Sequence, residues 1–498
     1  MKKKLFNDKT LILLAFVFLI FMMLLNLTHS SPWGDEWAEY VYSQEGIRSG
    51  ALYKRIMLNF QPPLYNILMH FWLKPSRTVL WFRLFNIPCG LIAGIFVFLA
   101  VKEISSFKAA ILTVFTMGAT YRWIYCIQEC SEYALMLMFL AIALYFFIKL
   151  DSEGSVIVEL FFIMACVGAM YSQYGAFFVV APLLCLHYGI RVLAKDRKRL
   201  FRTSALYVVA FIVFAVPLYW FFARIHIANN AIVENSRVVL SFDLIKDFPF
   251  VFGKMVAEFL NLRRLANFNS VLTWIGVITL ILAVYLLFTK IASRIDKLLI
   301  VVLLVVYSMY YWLVAFHIYA MVHPDQSSGY YSRYGYFFMP TLFIILPVIY
   351  TRIIQSIKIG SVQKIAKAVI ACGLLILLFY DYPTLLDNWH KAYDKEMAEI
   401  WVYHAGFDET TFLCGGHVRR GFNYYTNLYG YKGIGEVLES GDIDLNNLPE
   451  SFWIWRVNWS DDAWQKTVDE ANEQGYQVIV YADYGSSGQL AHCLKKTE

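Results

Sequence analysis

The sequence predicts a polytopic α-helical membrane protein with a small α/β domain at its C-terminal end. Of the 498 residues, 59% are hydrophobic and only 16% are charged, which is far more apolar than a soluble protein of ordinary composition. About eleven apolar runs have roughly the 20 residues that a helix needs to cross a bilayer. After Pro383 the chain turns polar for about 115 residues. We therefore predict a membrane domain at 1–383 and a separate folded domain at 384–498.

The first apolar run is expected to remain as a transmembrane helix. It follows MKKK at the N-terminus, is long enough to span and lacks the small-residue pattern of a signal cleavage site. The predicted spans cover residues 10–28, 80–101, 109–126, 133–150, 155–171, 175–193, 203–223, 270–290, 298–317, 334–351 and 366–383.

Basic residues in short loops predict the orientation. The segments rich in Lys and Arg fall on one side of the predicted spans, and such loops stay in the cytoplasm. The N-terminus is therefore predicted to be cytoplasmic, and the C-terminal domain extracytoplasmic, in a protein of the plasma membrane. The net charge of +6 is spread over these loops, so it reflects topology and does not indicate nucleic-acid binding.

An acidic stretch follows the first span at residues 31–46. Acidic side chains near hydrocarbon are costly unless they face water, a partner or a substrate. Read as a helix, Asp35 and Glu39 share one face and Glu36 points about 100° away. Position alone favours two interpretations about equally: a reaction site, or an interfacial helix with solvated acids.

Two further segments on the predicted outer side indicate helices that lie in the membrane interface. Pro62 and Pro63 force an extended entry that ends in an amphipathic, aromatic helix. Part of 224–269 has a similar mixture of aromatic and charged residues.

The C-terminal domain shows alternating strand and helix patterns. TTFLCGG, SFWIWRV and YQVIVYA read as strands, whereas 388–404 and 461–474 read as helices. In the second helix Trp464, Val468 and Ala471 form an apolar stripe, and Gly475 is the expected stop. No glycine pattern typical of nucleotide binding follows a strand.

Four polar elements fall on the predicted outer face in a fixed order: GDEWAEY at 34–40, QPPLYNILMHFW at 61–72 with RLFN at 83–86, IQECSEYAL at 127–135, and SRYGYFFMP at 332–340. Together they resemble the multispanning GT-C glycosyltransferases of the protein mannosyltransferase type, especially their bacterial cell-envelope relatives. The resemblance covers about residues 10 to 350.

The resemblance implies transfer of a sugar, a hexose or a pentose, from a polyprenyl-phosphate donor to a glycan, lipid or protein acceptor on the outer face of the bilayer. The family's acidic first-loop residue falls on Asp35, with Glu36 beside it, and a carboxylate suits removal of the acceptor hydroxyl proton. The family's basic residues fall on Arg83 and Arg333, whose planar forks suit a phosphate. The other substrate-binding residues that the resemblance implies are Tyr334, Gln61, Tyr65, Glu129, Tyr133 and Gln173.

The chain departs from the family pattern at two positions. Many relatives carry an Arg where this sequence has Ser131, and a His-Tyr pair where it has Gln173 and Tyr174. These changes leave the donor sugar and any metal open. No cofactor is implied with certainty; a divalent cation at His317, His323 and Asp325 is the less favoured interpretation.

Two other classes of function remain open beside the transferase. A lipid-linked saccharide transporter or flippase would also place charges along the path of an amphiphile, and an inactive scaffold would only display the outer domain. A transporter should distribute its charged sites to the membrane midplane. Gathering of acids and arginines at one face favours the enzyme.

Overall fold

A computed structural model describes the protein. It gives the conformation of residues 7–28, 30–58, 61–152, 155–229, 242–259, 269–316, 333–369, 373, 393–405, 409–414, 418–430, 437–440, 448–457, 461–485 and 488–496.

Helices dominate the chain before residue 370. Serine side chains start several of them; Ser106 and Ser293, for example, each accept a backbone N–H of the following turn. The helices span Asp8–Leu24, Gly34–Gln44, Ala51–Leu58, Leu64–Trp72, Val79–Leu84, Asn86–Ile104, Phe107–Ala119, Tyr121–Gln128, Tyr133–Ser152, Val156–Ser172, Phe177–Leu193, Arg197–Ala210, Val216–Leu218, Arg224–Asn229, Phe242–Phe259, Asn269–Phe288, Arg294–Ala315 and Met339–Ser356, with 3-10 turns at Tyr174–Ala176 and Arg333–Phe338.

Within the described ranges, six helical stretches are long and apolar enough to cross a bilayer, and a bent pair makes a seventh if counted as one span. The six are Val79–Ile104, Tyr133–Asp151, Tyr174–Leu193, Arg197–Ile227, Arg294–Ala315 and Gly335–Ser356. The bent pair, Phe107–Ala119 with Tyr121–Gln128, turns by 64°. This confirms a helical membrane architecture.

The ten predicted spans before residue 360 all coincide with helices. The eleventh, 366–383, falls almost wholly outside the described residues, so the count of eleven stays a prediction. The helix predicted after Pro62 and Pro63 is confirmed at Leu64–Trp72, and a helix within 224–269 at Phe242–Phe259.

The C-terminal segment contains a five-stranded mixed sheet with the order β2-β1-β3-β5-β4. Its strands are β1 (Thr410–Cys414), β2 (Val437–Ser440), β3 (Ser451–Arg456), β4 (Tyr476–Asp483) and β5 (Gln489–Lys495). β1 is parallel to β2 and β3, whereas β5 is antiparallel to β3 and β4. In the described part of this segment, three helices accompany the sheet, at Asp394–His404, Val418–Leu428 and Asp461–Glu473.

One apolar layer of this sheet is covered by the helix Asp461–Glu473. Trp464 and Ala471 are buried in the core cluster there and Val468 packs against it, as the sequence stripe predicts. Gly475 ends the helix with a φ of +84°, a conformation that favours glycine. Cys414 and Cys493 are both buried in the same core.

Contacts divide the chain into two compact units, which are described separately below. The first comprises residues 1–25, 43–77 and 81–387, and the second comprises 26–42, 78–80 and 388–498. The second unit therefore includes most of the acidic stretch in addition to the C-terminal domain. The boundary predicted at residue 383 lies outside the described residues.

Candidate active site

The acidic stretch forms the helix Gly34–Gln44, which we call the acidic helix. The Glu36 carboxylate accepts the backbone N–H of Trp33 at 3.2 Å, as a glutamate in the third helical position does when it closes a helix start. Glu36 and Glu39 are 1% and 5% exposed, whereas Asp35 is half-buried. Of the three acids, Asp35 is thus the most accessible to an acceptor.

The segment from Gln61 to Arg83 is stabilised by aromatic packing. The rings of Tyr65 and Phe85 meet edge to face at 5.6 Å. Trp72 and Trp81 stack at 4.5 Å, and each indole N–H donates to the other residue's carbonyl. These contacts tie the helix Leu64–Trp72 to the helix Val79–Leu84, which carries Arg83.

Of the polar residues at the ends of that segment, Arg83 is buried and Gln61 is half-buried. Arg83 is 3% exposed. The Gln61 Oε1 atom is buried and accepts no hydrogen bond from the described residues.

The third motif follows the bent span. Gln128 donates to the carbonyls of Met23 and Leu25 at 2.9 and 2.8 Å, which ties this turn to the end of the first helix. The amide of Asn86 donates to the carbonyl of Glu129. The backbone around Glu129 is therefore held from two sides.

The third and fourth motifs meet at an ion pair. Arg333 Nη1 lies 3.8 Å from Glu129 Oε1, and the side chains are 27% and 1% exposed. Tyr133 packs edge to face against Tyr336, with ring centroids 5.4 Å apart. Glu129, Tyr133 and Arg333 thus gather in one region, although they are far apart in sequence. The side chain of Tyr334 lies outside the described residues.

Gln173 has a local structural task. Its side-chain oxygen accepts the backbone N–H of Gly175 and so closes the 3-10 turn Tyr174–Ala176. The hydroxyl of the next residue, Tyr174, bonds His226 Nδ1 at 2.8 Å, and His226 Nε2 lies 3.3 Å from the carbonyl of Ile56. A histidine thus partners Tyr174 here, but it comes from a distant helix.

Sequence reasoning missed a second, partly buried ion pair beside this region. Arg122 Nη2 donates to Glu258 at 3.2 Å, and the same guanidinium interacts with Tyr336. The Nε atom of Arg122 is buried without a hydrogen-bond partner among the described residues. An arginine inside the predicted span 109–126 was the available signal, because such residues are rare in apolar helices and mark functional sites.

The structure distributes the predicted site residues between the two compact units. Asp35 and Glu36 belong to the second unit, and the arginines and the other predicted binding residues belong to the first. In the described ranges no group of three His, Cys, Asp or Glu side chains is arranged to hold a metal. His317, His323 and Asp325 lie outside those ranges.

Comparison with known proteins agrees with the sequence motifs. Residues 61–220 match the family model described as dolichyl-phosphate-mannose-protein mannosyltransferase. A search of curated proteins finds no match.

Two solved structures of ArnT from Cupriavidus metallidurans share the fold across nearly the full length of both chains. The apo form has a TM-score of 0.53 at 12% identity, covering 97% of this chain and 97% of that one. The form bound to undecaprenyl phosphate has a TM-score of 0.52, with the same identity and coverage.

The chain therefore has the fold of ArnT, a multispanning membrane architecture. Its residues 61–220 are similar to the protein mannosyltransferase family, in agreement with the resemblance that the sequence motifs carry.

Proposed function

We propose that the protein transfers a hexose or pentose from a polyprenyl-phosphate donor to an acceptor of the cell envelope, on the outer face of the plasma membrane. The family match over 61–220 and the ArnT-like fold support this proposal. The observation that carries it is the 3.8 Å contact between Arg333 and Glu129, because it unites two separate motifs around an arginine that solvent still reaches.

In the proposed reaction Asp35 accepts the proton of the acceptor hydroxyl. The acceptor oxygen then forms a bond to the anomeric carbon of the sugar, while the bond from that carbon to the phosphate oxygen breaks. The electron pair of the broken bond leaves with the polyprenyl phosphate. A carboxylate suits this task, and the partial exposure of Asp35 is consistent with access by a hydroxyl.

The leaving phosphate needs fixed positive charge. Arg83 and Arg333 supply it in this proposal, because a guanidinium stays ionised and donates two parallel hydrogen bonds to phosphate oxygens. Glu129 orients Arg333. Arg122 is the second cation of that region and stands in for the arginine that relatives carry at the position of Ser131.

A transporter of lipid-linked saccharides is the alternative function, and lipid analysis separates the two. Membranes from a strain that lacks the gene should accumulate a polyprenyl-phosphate sugar that a membrane-impermeant probe reaches on intact cells. Wild-type protein should remove it, and Asp35→Asn should not. Accumulation out of reach of the probe would indicate a transporter, and unchanged lipids would contradict both functions.

A further inference from the structure

Two helices of the C-terminal domain, Asp394–His404 and Val418–Leu428, contact two separate parts of the chain: residues 31–40 and Val79. All of these residues belong to the second compact unit. The backbone N–H of Lys395 donates to Ser31 Oγ at 2.9 Å, and the indole N–H of Trp37 donates to Asp394 Oδ2 at 3.2 Å. The hydroxyl of Tyr424 accepts the backbone N–H of Val79 at 3.0 Å.

Trp37 is the main aromatic anchor of this contact. It is 2% exposed, and its ring lies 5.1 Å from that of Tyr424 and 6.1 Å from that of Tyr425. Tyr40, one turn further along the acidic helix, also meets Tyr424 at 6.1 Å. The acidic helix is therefore packed, on the face of Trp37 and Tyr40, against the helix Val418–Leu428.

The close approach at Asp394 depends on a glycine. A Cβ atom at position 421 would overlap the Asp394 carboxylate, so only glycine admits the two C-terminal helices at this distance. Asp394 is 3% exposed, and the indole of Trp455 also interacts with its carboxylate. A buried carboxyl is costly, and its bond to Trp37 partly offsets that cost.

Both bound pieces lead directly to predicted site residues. Trp37 lies two positions after Asp35 in the acidic helix, and Val79 begins the helix that carries Arg83. Because a small displacement of a reacting group lowers the rate strongly, whatever fixes these pieces also controls the chemistry proposed above.

We propose that Asp394 and Tyr424 are positioning residues for this transfer: Asp394 fixes the acidic helix through Trp37, and Tyr424 fixes the start of the Arg83 helix through Val79. The expected effect on turnover rests on the proposed function. The expected effect on the two helices rests on the contacts alone. It assigns the C-terminal domain a role in holding the acidic helix and the backbone at Val79.

Loss of the Tyr424 contact and loss of the Asp394 contact should cause different kinetic defects. Tyr424→Phe removes the hydroxyl that holds Val79 and keeps the ring, so KM for the donor should rise about 2- to 10-fold, as expected for loss of one neutral hydrogen bond. Asp394→Ala releases the acidic helix, so kcat should fall by about 10-fold or more. Asp394→Asn should restore most of kcat, because the amide oxygen still accepts the indole N–H.

Tyr429→Phe is the matched control. The hydroxyl of Tyr429, in the turn after the helix Val418–Leu428, donates to Glu399 of the helix Asp394–His404 at 2.5 Å. This bond does not involve the acidic helix or Val79. This variant loses a tyrosine hydroxyl from the same helix pair and should keep wild-type kcat and KM.

The experiment uses full-length protein in lipid and measures two quantities: donor turnover, and amide hydrogen exchange of residues 34–44 and 79–84. The inference is supported if exchange becomes faster at 34–44 in Asp394→Ala and at 79–84 in Tyr424→Phe, and stays unchanged in Tyr429→Phe. If the wild type does not turn over the donor, that result refutes the proposed function but leaves the inference standing. Unchanged exchange in both variants overturns the inference. If Asp394→Ala does not fold, Trp37→Phe removes the same bond from the other side and decides by the same readouts.

Discussion

Two arginine–carboxylate pairs of the first compact unit show how similar residues can do different work. Arg352 donates two hydrogen bonds of 2.8 and 3.3 Å to the carboxylate of Asp296, and it also donates to the carbonyl of Ile104. Asp296 in turn accepts the N–H of Ser293 and closes a helix start. Arg333 lies 3.8 Å from Glu129, beyond hydrogen-bond length for that pair of atoms.

The difference separates a structural pair from a candidate binding pair. The pair of Arg352 and Asp296 has the short, bidentate geometry that fixes two elements against each other. Solvent reaches both guanidinium groups, since Arg333 is 27% exposed and Arg352 is 20% exposed. Only Arg333 belongs to one of the outer-face motifs, so it is the arginine that we propose for an anion. The pair of Arg352 and Asp296 lies on the predicted inner side of the membrane, and the pair of Arg333 and Glu129 on the predicted outer side. Only the outer pair could meet a donor on the outer face.

The largest test is the membrane topology, because the two pairs are predicted to lie on opposite sides of the bilayer. We expect position 198 inside and position 466 outside, in a variant without native cysteines. Lys198→Cys and Lys466→Cys suit a membrane-impermeant thiol reagent because both lysines are exposed. Trp464, which the sequence alone would suggest for the outer label, is 5% exposed and unsuitable. Intact cells should label position 466 and spare 198; the opposite pattern would place the proposed site on the wrong side.

The acids of the two sides should respond differently to the same change. Asp35→Asn removes a proton acceptor and keeps the shape, so turnover should fall by roughly 10²- to 10⁴-fold with an unchanged melting temperature. Asp296→Asn should lower the melting temperature and keep the turnover of the folded protein. A normal rate for Asp35→Asn would move the base to another residue.

The arginines should divide in the same way, with a smaller effect. Loss of a charged hydrogen bond costs about 1.5–3 kcal/mol, so Arg333→Ala should lose roughly 10- to 150-fold in efficiency, with Arg333→Lys in between because an ammonium lacks the fork. Arg352→Ala should mainly lower the melting temperature. Equal activity for Arg, Lys and Ala at position 333 would make Arg333 an interfacial anchor.

A third carboxyl, held by an indole and not by a guanidinium, gives the smallest expected effect. Burial raises the pKa of Asp394 to about 7, and the nearby Glu396 adds to the rise. In the unfolded chain the pKa is about 3.9. The protonated form is thus favoured on folding, so the contribution of Asp394 to stability is greatest below about pH 4 and declines until about pH 7.

The melting temperature of the wild type should therefore fall as the pH is raised from 5 to 8, and that of Asp394→Asn should fall less. Asp469→Asn, on the exposed side of the helix Asp461–Glu473, is the control and should follow the wild-type profile. Identical profiles for Asp394→Asn and the wild type would show that Asp394 ionises normally.

Much of the fold could be predicted from the sequence because apolar length and helix-start signals are local. The strands β1, β3 and β4 also follow their patterns closely. The strand β5 was not predicted, because QLAHCLK has few β-branched or aromatic residues and its central residues are buried on both faces. The helix Val418–Leu428 was missed as well, although Val418, Gly421, Phe422 and Tyr425 recur at helical spacing.

The site was predicted less completely because pairing is not local. No sequence pattern indicates that Glu258 reaches Arg122, or that His226 partners Tyr174, since the paired residues lie 136 and 52 positions apart. Motif order did place Glu129 and Arg333 in one site, and the structure brings them together. The roles of all these residues stay predictions until turnover is measured.

Donor turnover by the purified protein decides whether it is a transferase. Purified protein in lipid is supplied with a polyprenyl-phosphate sugar and an envelope extract as acceptor, and the release of polyprenyl phosphate is followed. We expect release of polyprenyl phosphate that depends on the acceptor and nearly disappears in Asp35→Asn. Movement of the intact donor between leaflets without any release would contradict it.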